Sequence, residues 1–159
     1  MLIKSSEHPD SSHVFTTFIP SKNDNPMTAE IIYEGGLRSR CRHIQSGTEI
    51  LTDAPSDNHG KGEAFSPTDL VATALASCMI TTMGIKALSM DLDIDGARAE
   101  VTKVMAANPR RISEVKVDIH MPSKSYTDKD KDIMERTAHS CPVAVSLHPD
   151  MVQTVSFYW

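Results

Sequence analysis

Apolar residues recur in two rhythms along this chain. From residue 29 they follow a strand pattern in AEIIYEG, in LRSRCRHIQ after the Gly35-Gly36 turn, and in TEILTDA after Ser46-Gly47, predicting a three-strand meander. The stretch APSDNHGKGEAF is turn-forming throughout, with Pro55, Asn58, Gly60 and Gly62, and reads as an extended loop. The following SPTDLVATALASCMITTMGIKA is apolar or small on nearly every face, which predicts a closely wrapped core helix over residues 67 to about 90. Ser66 suits its N-cap, Pro67 its first position and Asp69 the third position of a capping box. Alternation resumes in ARAEVTKVMAA and RISEVKVDIHM around an Asn108-Pro109 turn, with Val115, Val117, Ile119 and Met121 on one buried face. Thr127 then caps a second helix with Asp130 as its third residue, Ile133, Met134, Thr137, Ala138 and Cys141 follow at helical spacing, and Pro142 interrupts. MVQTVSFYW reads as a last strand. The order βββ, α, ββ, α, β predicts an α+β fold built from hairpins, not a parallel βαβ fold.

Residues 1–26 break this patterning. They are rich in Ser, Asp, Asn, Pro and His and read as an N-terminal extension in which VFTTFI, residues 14–19, is a possible short strand; the folded domain is 27–159. A chain of 159 residues and 17.5 kDa suits one domain, and at 5% aromatic content its core must be aliphatic, with nine Met helping to fill it. The net charge of −5 comes from interspersed charges with no basic stripe, which argues against a nucleic-acid partner. The N-terminus lacks the apolar run of a secretory signal, so a reducing cytoplasm is expected and structural disulfides are disfavoured. The uncharged run over 70–85 falls short of the ~20 residues of a membrane span. It reads as a buried helix, and no membrane partner is expected.

The chemistry lies in the cysteines. Cys78 and Cys141 are 63 positions apart, which excludes a local CxxC motif, so any shared chemistry requires the fold to bring two helical segments together. Cys141 stands before Pro142, which suits the first position of a short helix, so free amides and the helix dipole favour its thiolate. Cys78 is mid-helix in an apolar setting that raises a thiol pKa, so it needs an outside cation. Arg38, Arg40 and Arg42 alternate onto one strand face and are the candidates, with Glu63 and Asp69 as the nearest carboxylates to hold an arginine in place. Cys41 alternates to the opposite face and reads as structural. An acyl-transfer site using His139 or His148 lacks a nucleophile-elbow or papain-like context, and a metal site from His139, Cys141 and His148 lacks a fourth ligand. No metal and no cofactor are expected.

GKGEAFSPTDLVATALASCMITTMGIKA and SCPVAVSL resemble the two signature regions of the OsmC/Ohr family, the osmotically induced and organic-hydroperoxide-resistance proteins. The Gly-x-Gly loop, the Ser-Pro helix start twelve residues before Cys78 and the Cys-Pro pair carry the resemblance, which covers about 27–159. It implies an intertwined homodimer in which two antiparallel sheets wrap long central helices, with both sites near the subunit interface. It also implies a two-cysteine peroxidase of organic hydroperoxides in oxidative-stress defence, with Cys78 peroxidatic, Cys141 resolving, Arg38 as the activating arginine and a lipoyl-type dithiol as reductant. One position departs: where peroxidase members carry a glutamate ten residues before the first cysteine, this chain has Thr68, with Asp69 beside it. The same resemblance admits an OsmC-like protein that binds a small molecule or senses oxidants without efficient peroxidase activity.

Overall fold

Local capping fixes where the two longer helices begin. In the computed structural model, which describes residues 26–159, Ser66 and Asp69 form a reciprocal capping box at the start of α1 (Pro67–Leu88), and Thr127 and Asp130 form another at the start of α2 (Asp128–His139). The remaining elements are β1 (Ala29–Gly35), β2 (Arg38–His43), β3 (Glu49–Asp53), β4 (Arg98–Ala107), β5 (Arg110–His120), α3 (Pro142–Ser146) and β6 (Val152–Tyr158). Most of the N-terminal extension, residues 14–19 included, lies outside the described residues.

The strands form two three-stranded sheets, β1-β2-β3 and β4-β5-β6. The α+β expectation holds, but the all-antiparallel expectation is corrected: β6 runs parallel to β5, with Val117 opposite Val155. A hairpin would have returned β6 antiparallel. Instead α2 and α3 carry the chain back along the sheet, so the last strand enters in the direction of β5.

The core forms where α1 lies on the second sheet. Leu75, Met79 and Met83 bury against Val115, Val117 and Ile119 of β5, with Met134 and Ala138 of α2 closing the side. By length and composition α1 would also suffice to cross a membrane. Here it packs on β4, β5, α2 and α3. The expected all-round wrapping is met on one side only. Val71, Ala74, Cys78, Thr81, Ile85 and Leu88, spaced alternately three and four apart, form a seam that the chain leaves largely open; Ile85 is 66% and Leu88 83% exposed. The first sheet also leaves an apolar row open, because Ile31, Cys41 and Ile50 are cross-strand neighbours and both isoleucines are exposed.

Candidate active site

Cys78 sits in the open seam of α1, and α3 begins at Cys141, which is 0% exposed. The packing of α1 on α3 places the two thiols side by side, near enough for each to shift the ionisation of the other. Pro142 has no N–H, so the first free amides of α3 belong to Val143 and Ala144. The Ala144 N–H donates to Cys141 Sγ at 3.4 Å, as the local sequence predicts for a capping cysteine, and the Val143 N–H faces Cys78.

That second amide changes the expectation for Cys78. Burial pushes its thiol up, but the Val143 amide and the neighbouring Cys141 thiol outweigh burial, and the net shift is below an ordinary thiol. The Thr82 hydroxyl donates to the Cys78 carbonyl at 2.7 Å, which sets its oxygen 4.0 Å from Sγ. Cys141 moves the other way: burial and its position beside Cys78 raise it above the ordinary range despite its own amide contacts. Cys78 is therefore the first of the two to ionise. Within one chain the groups that lower its pKa are an amide, a thiol and a hydroxyl, and none of them is a cation.

Arg38 is engaged elsewhere. Its guanidinium bonds Asp53 through Nε (2.7 Å) and Nη2 (2.8 Å), and Nη2 also reaches Glu63 Oε2 at 2.7 Å. Asp53 is 2% exposed, and the arginine holds its carboxyl below the usual carboxylate range while the Glu63 N–H adds a bond at 3.0 Å. Glu63 thus partners Arg38 as the sequence suggests, whereas Asp53 was not foreseen; only its position at the end of β3, across from Arg38, signals the pairing. Arg40 is held by Glu34 and Glu49. Asp69 does not meet Arg38. It bonds Lys103 at 2.6 Å, and Lys103 also donates to Ser66 at 2.9 Å and to Thr68 at 2.8 Å. Lys103, in the middle of β4, carries no local sequence signal of this role. Its ammonium occupies the surroundings of Thr68, where peroxidase members carry the glutamate.

Two cavities flank the start of α1. One of about 350 Å³ is lined by Tyr33, Leu37, Asp53, Pro67, Met105 and Arg110, and one of about 430 Å³ by Glu63, Phe65, Asp69, Thr73, Val101 and Lys103. Neither is lined by Cys78. The histidines of the rejected alternatives lie apart in role: His139 packs edge-on against Phe157, and His148 Nδ1 accepts from the Asp150 N–H. No group of three or more metal-ligating side chains occurs among the described residues.

The loop that carries Glu63 closes tightly on the end of β3. A Cβ added to Gly60 would fall 1.6 Å from the Ala54 carbonyl oxygen, and backbone cannot yield as a side chain tip can. Gly60→Ala is expected to cost about 1–3 kcal/mol by forcing the loop open, read as a lower denaturation midpoint. An unchanged midpoint would show that the loop is not held against Ala54.

With the thiol pair in place, comparison with known proteins is informative. The family model described as OsmC-like protein matches residues 60–156, a span that holds Cys78, Cys141 and the elements between them. The chain belongs to the OsmC-like family. A crystal structure from Psychrobacter arcticus, provisionally described as an osmotic stress induced and detoxification response protein, is 54% identical. It covers 87% of this chain and 100% of that one, with a TM-score of 0.81. More distant members share the OsmC-like fold. One is an organic hydroperoxide resistance protein OsmC from Legionella pneumophila (16% identity, 86% and 100% coverage, TM-score 0.66). Another, from Vibrio cholerae, is provisionally described as an organic hydroperoxide resistance protein and has captopril bound in one of its active sites (17%, 86% and 95%, 0.66). No similar sequence is found among curated proteins.

Proposed function

We propose that this protein is a thiol-dependent peroxidase that reduces organic hydroperoxides, with Cys78 peroxidatic and Cys141 resolving. The observation that carries this reading is the contact between a thiol held below the ordinary range and a buried one held above it. Such a pair has its order of attack built in. The Cys78 thiolate attacks the terminal oxygen of the hydroperoxide, the O–O bond breaks, and the alkoxide leaves as an alcohol after taking a proton. Cys78 is then a sulfenic acid. Cys141 attacks its sulfur, the S–O bond breaks, and the hydroxide leaves as water with the Cys141 proton, forming a disulfide. A lipoyl-type dithiol restores both thiols by exchange and becomes a disulfide itself. The organic substrate class follows the naming of the Legionella and Vibrio relatives and the apolar seam around Cys78.

The working unit is a homodimer. The α1 seam and the apolar row of the first sheet are each too exposed for a chain that acts alone, and a second copy supplies two surfaces of matching character. Arg38 acts on no thiol in its own chain, so its activating role is exercised across this interface, with Asp53 and Glu63 orienting its guanidinium. The reaction takes place in the cytoplasm.

Reduced protein treated with cumene hydroperoxide is expected to lose two of its three thiols per chain and to regain them with dihydrolipoamide. If the thiols survive and the peroxide disappears no faster than in buffer, the peroxidase reading fails.

A further inference from the structure

β6 breaks its own pattern at one position. Alternation places Met151, Gln153, Val155, Phe157 and Trp159 on the face turned toward the helices, and four of these five pack into or against the core. Gln153 is the polar exception. Where a sequence departs from its binary pattern, the departing residue commonly has a specific partner. Here the partner is the Ala144 carbonyl, to which Gln153 Nε2 donates at 2.9 Å.

That carbonyl needs a donor. α3 has five residues and stops because Leu147 turns extended (φ −75°, ψ 155°), so no N–H one turn further on within the helix returns to Ala144. A helix this short gains little from its own hydrogen bonds and depends on outside contacts to persist. Ser146 Oγ caps the Pro142 carbonyl at 2.7 Å, and Gln153 caps the Ala144 carbonyl from the sheet. Ala144 is thereby fixed on both sides, its N–H on Cys141 Sγ at 3.4 Å and its C=O on Gln153. The Val143 amide, which faces Cys78, lies in the same turn.

We propose that Gln153 is a positioning residue of the thiol pair: from β6 it holds α3 so that the Ala144 N–H stays on Cys141 and the Val143 N–H stays beside Cys78. The sheet thus sets the reactivity of a cysteine on α1 through a helix that belongs to neither. This inference rests on the assignment of Cys78 as the reacting thiol, and its test needs no hydroperoxide.

The test is the pH profile of iodoacetamide modification, resolved by peptide mass spectrometry so that Cys78 is followed separately from Cys41 and Cys141, in the full-length reduced protein. Gln153→Met keeps side-chain length and removes the donor. The Cys78 profile is expected to shift to higher pH, with the rate at pH 7 falling about two- to tenfold, the weight of one hydrogen bond. Thr154→Val is the control, since Thr154 Oγ1 donates to Glu114 at 2.6 Å and does not touch α3; its profile is expected to overlay that of the natural protein. Should Gln153→Met fold poorly, Gln153→Asn keeps an amide that is one methylene too short and is expected to shift the profile in the same direction. A Gln153 variant that folds and overlays the natural profile overturns the proposal, as does an equal shift in Thr154→Val. A natural protein that consumes no hydroperoxide would defeat the peroxidase reading and leave this result standing.

Discussion

Replacing Cys141 with serine is expected to leave one rapid reduction of organic hydroperoxide per chain and then stop turnover, whereas replacing Cys78 with serine should reduce consumption to the rate in buffer. The asymmetry follows from the environments of the two sulfurs. Cys78 is partly accessible, faces the Val143 amide and is held below an ordinary thiol, so at neutral pH it presents the larger thiolate fraction. Cys141 is fully buried and pushed up, so it waits as a thiol until a sulfenic acid forms beside it. In the Cys141→Ser protein that sulfenic acid has no resolving partner and should be trapped by dimedone at a stoichiometry of about one. The pH dependence has a definite sign. Because the Cys78 pKa is lowered, its oxidation rate should rise with pH through a midpoint below that of an ordinary thiol and level off above it. Dimedone labelling at Cys141 in the Cys78→Ser protein, with retained turnover, would reverse the assignment.

The second large effect concerns the open seam of α1. Ile85→Glu should convert the proposed dimer to monomers while leaving the helical circular dichroism signal in place, because Ile85 has no role in the core of its own chain. In a two-fold interface one substitution acts twice. Removing two buried isoleucines costs about 3–6 kcal/mol at ~1.5–3 each, which weakens association by roughly 10²–10⁴-fold before the cost of burying two carboxylates is added. Light scattering of the natural and substituted proteins at micromolar concentration reads this directly. A natural protein that is monomeric there, or an Ile85→Glu protein that remains dimeric, would rule out the seam as the subunit interface.

What the sequence disclosed here was mostly local. The Ser66/Asp69 and Thr127/Asp130 boxes and the Cys141-Pro142 helix start each operate within a few residues, and all three occur as the letters suggest. The β5 row of Val115, Val117 and Ile119 was likewise readable, since strand alternation needs no partner to be visible. What stayed hidden depends on contacts across the chain. The parallel pairing of β6 with β5 is decided by how α2 and α3 return, which no period in the sequence encodes. Asp53 takes up Arg38 from the neighbouring strand and Lys103 takes up Asp69 from a strand far along the chain, so nearness to Cys78 in sequence named Asp69 for a role that geometry gives to Asp53. The largest addition concerns the α3 amides. Sequence proximity assigned them to Cys141 alone, but a helix end serves whatever packs against it, and α1 also brings Cys78 beside the Val143 N–H.

Those two amides also bear on the energetics of recycling. They bind sulfur best when it carries negative charge, and a disulfide carries none, so closing a Cys78–Cys141 bond forfeits the stabilisation that the reduced pair enjoys. A couple whose reduced side is favoured in this way has a higher, more oxidising potential. In the proposed cycle, the same short helix that favours the Cys78 thiolate would therefore also favour reopening of the disulfide, so that a mild dithiol is expected to reset the pair.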